Sequence, residues 1–160
     1  AAAWLQPAPV NLTEHEYRAD LLADILYNGV YGSSMPGWRA HSPAQLAALI
    51  EVVQSFSRIE PFISDSSTAL GAEIFQTHCA ECHGEAGDGN GFAIANLPIP
   101  IPPTDFTRER LSMAASLRVM NQGVAGTTMA PWGDRLSDAE IMAVAGYLST
   151  LYESETGAGE

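Results

Sequence analysis

Cys79 and Cys82 stand three positions apart, and His83 follows at once. Residues at that spacing sit about one helical turn from each other, on one face of a short helix. Two thiols so placed suit thioether bonds to the vinyl groups of one porphyrin, and the adjoining imidazole can then meet its iron. Cys-x-x-Cys-His is a known sign of covalent haem attachment, and histidine is the commonest proximal haem ligand. The alternatives need more than the chain offers. A structural zinc requires two further Cys or His ligands at matching spacing, but these are the only cysteines, and His15, His41 and His78 are not so arranged. A thioredoxin-like redox pair expects a βαβ setting, which the flanking sequence lacks.

The flanks carry a wider pattern. Gly71 and Phe75 lie one turn apart ahead of the cysteines, and the turn-rich Gly87-Asp88-Gly89-Asn90-Gly91 follows them. A proline-rich stretch (Pro98, Pro100, Pro102, Pro103) leads to Asp105-Phe106-Thr107, and Asn121 to Met129 precedes a last helical pattern from Ser137 to Leu151. Together these resemble a class I cytochrome c over residues 67–152. The resemblance implies one covalent haem c, bound through Cys79 and Cys82, with His83 as proximal iron ligand and Met129 as distal ligand. Met129 is followed by Ala130 and then Pro131, whereas the family usually has proline directly after that methionine, as in Met35-Pro36. The resemblance also implies a loop proline carbonyl as acceptor for the His83 ring proton, with Phe92 and Trp132 as candidate pocket residues. Arg108 and Arg110 are candidates for the haem propionates.

Nineteen acidic residues oppose seven basic ones, all arginine, for a net charge of −12. Nucleic acid and anionic membrane surfaces would repel such a chain. No apolar run approaches the ~18 residues that a membrane span needs. Haem attachment of this type implies a periplasmic location.

An internal repeat reorganises the first sixty residues. Thr13–Trp38 aligns without a gap on Thr107–Trp132 at an offset of 94, placing Gly29 on Gly123, Met35 on Met129 and Trp38 on Trp132. The offset then becomes 95, and Ser42-Pro43-Ala44-Gln45-Leu46 falls on Ser137-Asp138-Ala139-Glu140-Ile141. The chain is therefore read as all-α. Residues 1–60 form a haem-less half domain resembling the C-terminal half of a second cytochrome c domain, and 61–67 a linker. Residues 68–152 form the monohaem domain and 153–160 a tail.

Thr13 with Glu16 reads as a capping box opening a helix with Tyr17, Leu21, Ile25 and Leu26 on one face, ended by Gly29. Ser42-Pro43 opens another, and helices are expected near 69–82, 112–122 and 138–151. Met113, Met120 and Met142 fall on helix faces, where packing is their expected role. The reading is an electron carrier rather than an enzyme, exchanging electrons with a redox protein that offers a basic or apolar surface. The helix from Ser42 to Phe56 is expected to pack on the haem domain, a second copy or another subunit. The alternative is a cytochrome subunit or fragment of a dihaem redox enzyme, peroxidase-like or sulfur-compound-oxidising.

Overall fold

A computed structural model describes residues 7–59, 67–96 and 101–153. Its helices are α1 (Ala19–Asn28), α2 (Pro43–Gln54), α3 (Thr68–His78), α4 (Ala80–His83), α5 (Met113–Gln122) and α6 (Asp138–Thr150). The fold is mostly helical, as the periodicity requires. Two three-residue strands, β1 (His15–Tyr17) and β2 (Glu109–Leu111), pair antiparallel and pass unseen in the sequence pattern. Most of the linker expected at 61–67 and nearly all of the tail lie outside the described residues, as do Pro98 and Pro100.

The core forms where α3 crosses α6. Gly71 makes the crossing possible: a Cβ there would lie 2.0 Å from the Ala143 carbonyl oxygen. Phe75, fully buried one turn later, packs against Tyr147 with ring centroids 5.4 Å apart. Ile74, Met120, Ile141, Val144 and Ala145 form one buried cluster, and Phe75, Ala80 and Phe106 another. Each large side chain so buried contributes about 1.5–3 kcal/mol. Of the helical methionines, Met120 is core, Met113 packs against it and Met142 is exposed.

Helix starts follow the expected chemistry at two places and depart at one. Ser42 and Ser137 each cap a helix with a complete capping box, closed by Gln45 and Glu140. The Thr13–Glu16 box does not form. Thr13 sits in a short 3-10 turn capped by Asn11, α1 begins only at Ala19, and Glu16 and Tyr17 belong to β1. Pairing with β2 takes the backbone that a helix would have used.

Equivalent positions in the two segments make equivalent bonds. The Gly29 N–H donates to Ile25 O and Gly123 N–H to Val119 O, with both glycines at positive φ. Val30 N–H donates to Met35 O at 3.1 Å, and Val124 N–H to Met129 O at 2.9 Å. The Ser33 hydroxyl oxygen accepts from Met35 N–H as that of Thr127 does from Met129 N–H, both at 3.1 Å. The segments meet across β1 and β2, where Glu16 faces Arg110, its own equivalent at 94 positions, and the two side chains form an ion pair. His15 Nδ1 lies 2.5 Å from Glu109 Oε1, again 94 positions away. Outside them, Arg108 pairs with Asp24 at 3.1 Å and Arg118 with Glu14 at 2.6 Å. These two pairs occupy interchanged equivalent positions with the charges reversed.

Candidate haem site

The helix that begins at Thr68 pauses at Cys79, and the single turn of α4 carries the rest of the motif. Cys82 N–H and His83 N–H both donate to the Cys79 carbonyl, at 3.1 and 2.9 Å, which places the two half-buried cysteines on one turn. The following loop doubles back over this turn. Gly89 N–H donates to His83 O at 2.8 Å and Gly91 N–H to Cys82 O at 3.2 Å. Gly91 approaches so closely that a Cβ would fall 2.2 Å from the Glu81 carbonyl oxygen.

His83 is oriented from two sides. Its Nδ1 lies 3.2 Å from the Thr104 carbonyl, and its ring lies 4.9 Å from that of Phe106. Burial pushes its pKa down, opposed by the bond to Thr104, so the ring is neutral at pH 7. With Nδ1–H donating to the carbonyl, Nε2 carries the lone pair. The acceptor expected among the loop prolines is thus the carbonyl of Thr104, the residue after Pro103. No side-chain signal marks such an acceptor.

The cysteines are thiols rather than poised thiolates. Burial, with a smaller contribution from Cys82, pushes Cys79 up to about 11, and burial followed by Glu81 raises Cys82. Redox-active pairs have the opposite character, a depressed pKa. Two thiols on one turn and a neutral imidazole with a directed lone pair fit the donor set of a covalently held haem.

Met129 is half-buried, in a loop closed by the bonds from Val124 and Thr127. Trp132, three residues on, brings this loop beside the motif: its ring lies 5.5 Å from that of His78, the neighbour of Cys79. Phe92 is 71% exposed on the loop that follows Gly91. Arg108 and Arg110 are committed elsewhere. Arg108 bonds Asp105 at 2.7 Å, and Arg110 pairs with Glu16 and lies over the Tyr152 ring.

A helix crossing at a glycine, a Cys-x-x-Cys-His turn at its end and a methionine loop before the last helix define a class I cytochrome c domain. Residues 66–148 match the family model of the cytochrome C oxidase, cbb3-type, subunit III, and the chain belongs to that family. It is 35% identical over 112 residues to the cbb3-type cytochrome c oxidase subunit FixP of Azorhizobium caulinodans, covering 69% of this chain and 36% of that protein. It is 31% identical over 121 residues to the subunit CcoP of Cereibacter sphaeroides, covering 74% of this chain and 40% of that protein. The matches thus span little more than a third of the length of these relatives. A solved chain of the Kuenenia stuttgartiensis reducing HAO-like protein complex Kustc0457/Kustc0458 has a similar fold, with a TM-score of 0.52 at 22% identity. That likeness covers 95% of this chain and 85% of the other, so it extends over the N-terminal segment. Family membership implies electron transfer through haem c. No helix among the described residues is long and apolar enough to cross a membrane.

Proposed function

We propose that residues 68–152 carry a single covalent haem c, attached through Cys79 and Cys82 and ligated by His83 and Met129. The module passes single electrons, in the periplasm, to or from a larger oxidoreductase. The observation that carries this reading is the orientation of His83. Its Nδ1 is tied to Thr104 O at 3.2 Å, leaving Nε2 to bind a metal on the same turn as both cysteines. A haem held there supplies one-electron chemistry, and a sulfur ligand raises its potential relative to a second histidine. The protein's own part is to fix the imidazole, shield one face with Phe106 and present the methionine from a loop held by Thr127. Residues 1–60 are read as the C-terminal half of a second cytochrome c domain, supported by the bonds repeated at equivalent positions.

The oxidised protein should show the weak near-infrared band of a sulfur–iron bond. Met129→Ala should abolish it while intact mass still shows haem attached. A band that survives Met129→Ala removes that residue from the site, and a mass without haem removes the cysteines.

A further inference from the structure

Where α1 meets α2, the side chains differ in kind from those where α5 meets α6. Leu117 of α5 and Leu136, the residue before the capping Ser137, pack against the core cluster that holds Ile141 at 1% exposure. At the aligned positions the N-terminal segment has Ala23 on α1, His41 before the capping Ser42, and the half-buried Leu46. An alanine and a histidine thus stand where two leucines fill space. A cleft of about 550 Å³ lies there, with Ala23, Tyr27, Arg39, His41 and Leu46 in its walls. Small molecules commonly sit in clefts of ~300–1,000 Å³ that are largely apolar and carry a few placed polar groups.

The polar groups of this cleft are placed. Arg39 lies over the Tyr27 ring, 5.5 Å from its centroid, and its Nη2 donates to Asn28 Oδ1 at 3.1 Å. Arg18, Arg108, Arg110 and Arg118 are each paired with a carboxylate, whereas Arg39 has none among the described residues. His41 packs edge-on against Trp38, with ring centroids 5.2 Å apart. Its Nδ1 is buried without a hydrogen-bond partner, the one such side-chain atom among the described residues. A buried polar atom left unpaired is costly, and a ligand atom removes that cost. Asp24, also in the wall, is paired with Arg108 at 3.1 Å, which offsets part of its repulsion of an anion.

We propose that this cleft binds a small organic carboxylate with an apolar body. The carboxylate meets the Arg39 guanidinium, whose planar fork matches it, and one oxygen accepts from His41 Nδ1 when the ring carries its proton there. The body lies on Ala23, Leu46 and the Tyr27 ring. A bare inorganic anion would leave those apolar walls unused. The α5–α6 pair offers no such site, since Asn121 stands for Tyr27 and Leu136 for His41.

The test titrates benzoate into the full 160-residue chain, matured with its haem, and follows amide shifts by nuclear magnetic resonance. Shifts should centre on Tyr27, Arg39 and His41 and saturate with a dissociation constant of about 1 mM or tighter. Arg39→Gln should weaken binding about tenfold or more. Ala23→Leu sets into the cleft the side chain that Leu117 supplies in the other segment, and should abolish binding. Both positions are exposed, and melting curves establish that each variant folds. The absence of saturable shifts overturns the proposal, as does binding that survives either substitution. Benzamide, which is neutral and of the same shape, should bind far more weakly, and equal affinity overturns the carboxylate. Inorganic phosphate that binds as tightly as benzoate overturns the apolar body. A blocked Phe-Glu-Phe peptide that binds more tightly than benzoate assigns the cleft to a side-chain carboxylate of another protein and overturns the free acid.

Discussion

At the level of single residues, His83 is held by a backbone carbonyl and an aromatic face, and the loop through Gly91 keeps both within reach. That loop has no slack. A methyl group at Gly91 would meet the backbone of Glu81 and Cys82, at 2.2 Å from a carbonyl oxygen and 2.5 Å from a carbonyl carbon. Backbone cannot rotate away as a side chain can, so either the loop or α4 must move. Gly91→Ala should therefore cost about 1–3 kcal/mol of stability, in the range of an overpacked core, and lower the haem-to-protein absorbance ratio of the matured protein. Unchanged melting and haem content would show that the loop relaxes freely. Cys79, Cys82 and His83 could be singled out in the sequence because their proposed chemistry needs only the spacing of one helical turn, and the structure does bring them onto one turn. Thr104 was not, because its contribution is a carbonyl that every residue type possesses, reached across 21 positions.

Among the elements, α2 could be placed from sequence because Ser42-Pro43 is a local start signal ahead of an apolar run, and α6 because it closes the family pattern. In the structure a capping box, serine with a Gln or Glu three residues on, holds each start. The same pattern at Thr13 and Glu16 led to a wrong start for α1, because the decisive partner of that backbone lies in β2, 94 positions away. A ladder of three residues is too short to leave an alternation. Where the box does form, it makes a quantitative expectation. Ser137→Ala should cost about 1 kcal/mol, read from thermal melting. The Glu140 carboxyl is held below its ordinary value of 4.5 by the backbone N–H and hydroxyl of Ser137. A carboxyl depressed by folding adds stability above its unfolded pKa and loses it as pH falls through the folded one. The melting temperature should thus drop on acidification through the region below pH 4.5, and Glu140→Gln should flatten that drop. An identical acid slope in the variant would place the dependence on other carboxylates. The α3–α6 crossing is harsher: Gly71→Leu would drive a side chain into the Ala143 backbone and should leave little folded protein.

Over the whole molecule, charge is arranged on two scales. Within the junction, opposite charges are paired across equivalent positions, and the sequence hinted only at the repeat. That the two aligned segments face each other through β1 and β2 depends on pairings such as Glu16 with Arg110 that no local pattern announces. Because Glu16 and Arg110 face each other at positions that align at the offset of 94, the pair's members should be exchangeable. Glu16→Arg alone sets two guanidiniums together and should cost about 1 kcal/mol, while adding Arg110→Glu should restore most of it. Failure of the double variant to recover would mean the surroundings distinguish the two sides. Beyond the junction, the net charge of −12, with no lysine anywhere, sets the long-range field. Such a field accelerates encounter with a basic surface and retards it with an acidic one, and screening shortens its reach to about 8 Å at physiological salt. A redox partner with a basic docking surface should therefore reduce or oxidise this protein more slowly as ionic strength rises, in second-order rates from stopped-flow mixing. The slope should shrink when exposed acidic residues such as Glu81, within the Cys-x-x-Cys-His motif, and Glu85, just after it, are neutralised to glutamine. Rates that climb with salt would reveal a partner of like charge. In that case contact would depend on the apolar surface around Phe92, and the acidic field would serve to keep the chains apart.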